Sequence, residues 1–376
     1  MKYFNPTVSK QPKPRKGYRG RLSFIDENGE KRVVTKSFQV RTLSEAKRLL
    51  ANWHADMNGA AEEEAAHARC GVTVAEMVRD HIDKAERAGS IEPSTVSGYL
   101  ASLRLIERMG DIDVRDLDRE TVETWEGGLT ESGLSSSSVG KAHRLLKMVL
   151  ARAVDSDIIA KNPMALVKPP KRKPVHPGIN ALDKASRDRV TGILTSMRPC
   201  PLSVGAMLSL YTGMRREEVC GLRWQDVDLD RGVLWVRQAI GIGHGRPYVK
   251  GAKTDRVRDI AIPATLERVL REWRGYQAPG CAYVIGDPMG FCSPFVISRE
   301  WGSFAKQFNV LGTEGRKCTF HDLRHTWATA AVAAGIDVKT VSSNLGHANA
   351  AMTLNIYASA DPEAKRRAAE VMDGVI

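Results

Sequence analysis

No stretch of the 376 residues contains about 18 consecutive apolar side chains, which excludes a membrane-spanning helix. The opening residues, MKYFNPTVSKQPKPRKG, lack the apolar block of a secretory leader. Cysteines are few and scattered (Cys70, Cys200, Cys220, Cys281, Cys292 and Cys318), with no CxxC pair. That predicts neither a metal site nor a disulfide framework, and makes a reducing cytoplasm the default compartment. A P-loop and an acidic metal-binding cluster are also missing. Negative charge is in deficit, because 44 Asp and Glu face 56 Lys and Arg, a net charge of +12 with a pI near 9.5. Such a balance suits a polyanion, nucleic acid above all, although charge alone leaves a membrane surface open.

What is present is enough for two or three domains, with 42% hydrophobic residues to build cores. Residues 1–57 hold 13 Lys and Arg against 5 Asp and Glu. A polar, Pro-containing tail to about Lys16 is expected to be disordered. Asn28-Gly29 then predicts a hairpin between two strand-like runs, and Thr42 with Glu45 predicts a capping box opening a helix to about Met57. Residues 58–71 read as a helical connector. From 72 to 166 the pattern is helical throughout: Val74, Met77 and Ile82 start one helix, Ser94 opens a second, Asp118 caps a third, and Ser137 opens a long fourth. Residues 167–179, VKPPKRKPVHPGI, form an extended basic linker. Residues 180–376 form a last domain, mostly helical with one small sheet near 233–262 and a tail from about 358. The fold class is therefore mainly α with small β-sheets, in several domains.

The chemistry-bearing residues concentrate in the last domain. Val204, Met207, Leu208 and Tyr211 make a helical stripe that Gly213 ends, presenting Arg215, with Glu218 three residues on. Lys253 falls in a turn between strands near Tyr248–Lys250 and Arg256–Ile262, with Lys250 as a nearby rival. His321 and Arg324 share one face of an Ala-rich helix closed by Gly335. Asp337 caps a short helix with Val338, Val341 and Leu345; Gly346 closes it, His347 follows, and Tyr357 lies ten residues further. His325 and Trp327 read as structural. A permanent cation fits a phosphate, imidazoles trade protons near neutral pH, and an activated tyrosine is a covalent nucleophile.

This set, Arg215 with Glu218, Lys253, His321-Asp322-Leu323-Arg324, Leu345-Gly346-His347 and Tyr357, resembles the tyrosine recombinase (phage integrase) family in order and approximate spacing. One departure is Val257, where the family often has Ser; Arg258 after it is present. The resemblance implies an arm-type DNA-binding domain at 1–57, a helical core-binding domain at 72–166, and a mixed α/β catalytic domain at 180–376. It implies cleavage of one DNA strand by Tyr357 through a 3′-phosphotyrosyl intermediate, without metal or other cofactor. Arg215 and Arg324 would clamp the phosphate, Lys253 protonate the leaving oxygen, His321 accept the tyrosine proton, His347 hydrogen-bond the phosphate, and Glu218 brace Arg215. Its expected partners are double-stranded attachment sites, three further copies in a homotetramer on DNA, and accessory DNA-bending or directionality factors. Arg19, Arg21, Lys36 and Arg41 would enter a DNA groove or form a solvated basic surface, and both readings stay open. The same holds for Lys141, Arg144, Lys147 and Arg152 on one helix of a domain whose net charge over 73–164 is about −4. The tail after Tyr357 would dock on a neighbouring subunit or fold back. Integration or excision of a mobile element is the leading expectation, against a chromosome-dimer resolvase, a type IB topoisomerase-like relaxer, or a regulator that has lost catalysis.

Overall fold

The computed structural model describes residues 3–12, 17–26, 29–68, 71–171, 178–251, 257–346 and 373. Contacts divide the chain into two compact units, residues 1–88 with 99–172, and residues 89–98 with 173–376. No helix among the described residues is long and apolar enough to cross a membrane.

The first unit opens with strands β1 (Phe4–Lys10), β2 (Tyr18–Ile25) and β3 (Lys31–Phe38), an antiparallel meander in the order β1-β2-β3. Helix α1 (Leu43–Ala68) covers one face. Leu22, Phe38 and Leu50 form the core between sheet and helix. A Cβ on Gly20 would lie 2.7 Å from the Phe38 ring and 2.9 Å from Leu50, so the close approach requires glycine. The predicted hairpin and the Thr42 cap are in place, with the Glu45 N–H donating to Thr42 Oγ1 at 3.3 Å.

Two expectations change here. The tail to about Lys16 is not disordered over Phe4–Lys10, which is strand β1. An edge strand tolerates Pro6 because the register shifts between Phe4 and Thr7, where Asn5 takes φ +50°. Helix α1 bolts the start of that strand: Asn58 Oδ1 accepts from the Tyr3 N–H at 2.8 Å and His54 Nε2 meets the Tyr3 carbonyl at 2.9 Å. Likewise α1 does not stop near Met57 but runs to Ala68, because the Ala- and Glu-rich segment beyond favours helix.

Four helices follow: α2 (Val74–Arg87), α3 (Pro93–Ile106), α4 (Arg119–Glu131) and α5 (Ser136–Asp155). Thr73, Asp118 and Ser135 cap α2, α4 and α5 through their side-chain oxygens. A buried pair, His143 Nδ1 to Glu126 Oε1 at 2.6 Å, ties α5 to α4.

The second unit contains α6 (Lys184–Ser196), α7 (Pro201–Thr212), α8 (Arg216–Gly221), β4 (Val227–Asp228), β5 (Val233–Val236), β6 (Gln238–Gly243), β7 (Arg246–Gly251), β8 (Arg258–Ala261), α9 (Ala264–Tyr276), α10 (Pro294–Gln307), α11 (Phe320–Ala333) and α12 (Val338–Leu345). Helix α7 is apolar nearly all round and is the core, packed by α6, α9, α10 and α11. Strands β4, β5 and β8 form one antiparallel sheet and β6-β7 a separate hairpin. The strands that flank residues 252–256 therefore do not pair with each other. β7 returns onto β6, with Lys250 opposite Ala239, while β8 pairs with β5, with Arg258 opposite Val236. The turn at His244-Gly245, both at positive φ, closes the β6-β7 hairpin before the chain reaches 252.

Candidate active site

Helix α7 ends at Gly213, whose φ of +70° is the left-handed cap that glycine accommodates. A Cβ there would also lie 2.7 Å from the Trp327 ring and 3.0 Å from Leu345. The chain therefore reverses tightly, and two residues later Arg215 becomes the N-cap of α8. Its N–H donates to Glu218 Oε2 at 2.7 Å, and its guanidinium Nη1 donates to Glu218 Oε1 at 2.9 Å. Helix α11 is capped by Thr319, whose N–H in turn donates to Asp322 Oδ2 at 2.7 Å. His321 and Arg324 lie one turn apart on this helix.

Helix α12 supplies the meeting point. The last carbonyls of a helix have no partner within it and carry the negative end of its dipole. Three such successive carbonyls are taken here by three different arginines. Arg258 Nε donates to the Asn344 carbonyl at 2.8 Å, Arg324 Nη2 to that of Leu345 at 2.7 Å, and Arg215 Nη2 to that of Gly346 at 3.2 Å. Arg324 Nη1 also reaches the Gly213 carbonyl at 2.7 Å. Arg258 grips Glu218 bidentately, at 3.0 and 2.6 Å, so this one carboxylate lies between Arg258 and Arg215. Gly346 closes α12 at φ +62°, and a Cβ there would lie 2.9 Å from Arg258.

The electrostatics follow from that packing. Burial alone would raise the Glu218 pKa, but the hydrogen bonds and charge of Arg258, with the charge of Arg215, outweigh it and hold the carboxyl below its ordinary range. Arg324 is 4% exposed; burial and the neighbouring Arg215 charge lower its pKa to about 9, so it stays cationic at neutral pH. Desolvation, then the Arg324 charge, lowers the His321 pKa, leaving a neutral imidazole able to accept a proton. Its ring stands edge-on to that of His325, 4.7 Å between centroids. Burial, followed by proximity to His321, pushes His325 down to about 4. His321 also lines a cavity of about 460 Å³ with Arg216, Glu217, Ser298, Lys317 and Thr319.

Four sequence-predicted residues, Arg215, Glu218, His321 and Arg324, thus share one locality. Lys253, His347 and Tyr357 lie outside the described residues, as does the tail expected to hold neighbouring subunits. The rival Lys250 faces Glu92 at 3.9 Å. Sequence reasoning left Arg258 out of the site, although its place just after the Lys253 segment was a usable signal.

The predicted DNA-contacting residues separate. Strand alternation and register put Arg19 in a cross-strand row with Ser9 and Ser37, and Arg21 in one with Thr7 and Thr35, on the sheet face opposite the Leu22–Phe38 core. Lys36 lies on the other face, its ammonium 5.9 Å from the centre of the Trp53 ring. Arg41 is exposed in the bend before α1. On α5, Lys141 and Arg144 are exposed, whereas Lys147 donates to the Ala165 carbonyl and Arg152 to His81.

Several known proteins are similar to this chain in sequence or fold. Residues 184–364 match the profile described as the phage integrase family, and residues 73–171 match that of the phage integrase SAM-like domain. The chain is 28% identical over 283 residues to a tyrosine recombinase XerC-like protein of Caldanaerobacter subterraneus subsp. tengcongensis, covering 67% of this chain and 70% of the relative. It is 26% identical over 374 residues to an integrase of Streptomyces ambofaciens, covering 93% and 91%. Among solved structures, the integrase of transposon Tn1549 in complex with a circular intermediate DNA superposes with a TM-score of 0.68 at 22% identity, over 80% of this chain and 100% of that one.

Proposed function

From the premise that this chain belongs to the phage integrase family and is a tyrosine site-specific recombinase, we propose that it integrates or excises a mobile element through a cluster centred on Arg215, Arg324 and His321. The phenolic oxygen of Tyr357 attacks the scissile phosphorus and the bond from phosphorus to the 5′ oxygen breaks. His321 takes the phenolic proton and Lys253 gives one to the departing oxygen. A 3′-phosphotyrosyl ester and a free 5′-hydroxyl result, and a 5′-hydroxyl from the partner duplex reverses the step. The ester conserves the bond, so no nucleotide is consumed.

The observation that supports this most is the arrangement of three arginines and one glutamate around the end of α12. Arg215 and Arg324 are fixed by bonds to Glu218, Gly213, Leu345 and Gly346, and a guanidinium has more donors than those bonds use. Donors held in place before the reaction stabilise charge as it develops on the non-bridging oxygens. Glu218 and Arg258 brace the cluster, and His347, the next residue after Gly346, donates to the phosphate. The free face of the β1-β2-β3 sheet, with Arg19 and Arg21, contacts a second class of DNA site. Four strand cleavages on two duplexes require a tetramer on DNA, on which accessory bending or directionality factors would act.

The test is a nicked suicide duplex carrying the attachment site found in DNA flanking the gene. The full-length protein should accumulate a covalent adduct that peptide mapping places on Tyr357. Tyr357→Phe should bind the duplex with unchanged affinity and form none. An adduct on another residue, or one persisting in that variant, overturns the assignment.

A further inference from the structure

Asn180 stands where the basic linker ends, and it is 2% exposed. Its amide is fully engaged. Nδ2 faces the Arg316 carbonyl at 3.2 Å, the Lys317 carbonyl at 3.4 Å and Asp322 Oδ2 at 3.3 Å, while Oδ1 accepts from the Glu314 N–H at 3.3 Å. Its neighbours are stitched down in the same way. The Ile179 carbonyl accepts from Thr313 Oγ1 at 3.0 Å, the Ala181 carbonyl from the Thr313 N–H at 2.8 Å, and the Leu182 N–H donates to Thr326 Oγ1 at 2.9 Å. The fit is close enough to require glycine opposite: a Cβ on Gly312 would come within 2.4 Å of Asn180 Oδ1.

Two of these bonds, to Asp322 and to Thr326, end on α11. Asp322 Oδ2 is the atom that completes the α11 cap by accepting from the Thr319 N–H, and Thr326 Oγ1 itself donates to the Asp322 carbonyl at 2.7 Å. Asp322 lies between His321 and Arg324 on the same helical turn. Ile179 packs on the apolar cluster that includes Val341 and Leu345 of α12. The end of the linker is therefore fastened to the turn that presents His321 and to the helix whose carbonyls hold the arginines.

We propose that Asn180 is a positioning residue for strand cleavage: through Asp322 it fixes the first turn of α11, and with it His321 and Arg324, against the scissile phosphate. This rests on the recombinase reading above. DNA affinity is spread over many phosphate contacts and depends little on that turn. Alignment of the reacting groups depends on it strongly.

The experiment compares Asn180→Ala and Asn180→Asp with the wild type in the full-length chain, by single-turnover cleavage of the suicide duplex and by duplex affinity, between pH 5.5 and 8. Asn180→Ala should lose about 100-fold in cleavage rate at every pH, the scale set by a small misplacement of reacting groups, with affinity changed less than about twofold, since one of many phosphate contacts at most is touched. Asn180→Asp should be as impaired at pH 8, where two carboxylates and two carbonyls face one another. It should recover toward wild type as pH falls, because a protonated carboxyl again donates to Asp322. Cys318, His321 and His325 feel the Asp322 charge, so each variant rate is divided by the wild-type rate at the same pH. A pH-independent ratio for Asn180→Asp, or parallel losses of affinity and cleavage in both variants, overturns the proposal. Asn180→Asp at low pH retains the bond and so controls for a folding defect in Asn180→Ala. An absent adduct in the wild type would instead sink the recombinase reading itself.

Discussion

The arginines at the end of α12 and those on the free sheet face of the first unit carry the same charge under opposite conditions. Arg324 is buried and bonded at both nitrogens of its fork, and Arg215 and Arg258 share a buried carboxylate. Arg19 and Arg21 stand in rows of serine and threonine, with no ion pair among the described residues. A guanidinium whose orientation is already fixed stabilises a transition state without reorganising. A solvated one contributes mainly by displacing counterions from DNA, a term that salt erodes.

Substitutions in the two regions should therefore fail differently. Arg324→Lys keeps a cation but cannot span the Gly213 and Leu345 carbonyls. Single-turnover cleavage should fall on the order of 10²–10³-fold while duplex affinity holds. Equal losses in rate and affinity would make Arg324 an ordinary phosphate contact and erase the contrast. Glu218→Gln removes the carboxylate that Arg215 and Arg258 share. Breaking a buried pair in this way should cost about 3–5 kcal/mol of stability, read by denaturant unfolding, and a change under about 1 kcal/mol would place the pair in the class of surface bridges.

On the sheet face, Arg19→Ala and Arg21→Ala should leave core-site cleavage untouched. Each should weaken arm-type site binding and flatten the salt dependence by about one unit of slope. An unchanged slope in footprinting titrations would remove the sheet from the DNA interface. The smallest effect concerns pH. His325 has a folded pKa of about 4, below its ordinary 6.5, so the unfolded chain binds the proton first. Its contribution to stability is full above about pH 6.5 and is lost between there and pH 4. Glu218, also depressed, loses its contribution only as pH falls further, through its lowered value. His325→Gln should flatten the decline in melting temperature between pH 6.5 and 4 and leave the steeper acid limb. An unaltered upper limb would show that another group titrates there.

Much of the second unit was legible because its signals are local. Gly213 and Gly346 close helices at positive φ, Asp337 accepts at a helix N-terminus, and Arg215 with Glu218 lie within one turn. What escaped is long-range. Arg258 lies 40 positions after the Glu218 it meets, and Asp322 lies far further after Asn180. Lys36 was grouped with Arg19 by charge, and only the side on which α1 packs separates them. The partner of β7 could not be read from the turn that follows it, since a strand is equally free to pair with the one before. Strand β1 was hidden by Pro6 and its basic neighbours, which suit an edge strand as well as a disordered tail.

The closed set of partners at the end of α12 bears on how such a site can drift. Three guanidiniums, one carboxylate and a run of carbonyls satisfy one another, so a single exchange strands a group that had been matched. Losing Arg258 alone leaves Glu218 half-neutralised and the Asn344 carbonyl bare; losing Glu218 alone leaves cations facing each other. Accepted change at these positions should come as joint replacements, with position 218 altered together with 258, and Gly346 held wherever an arginine occupies 258. Related chains that have abandoned strand cleavage, free of the demand for a fixed cation, should be the ones in which this covariation dissolves first.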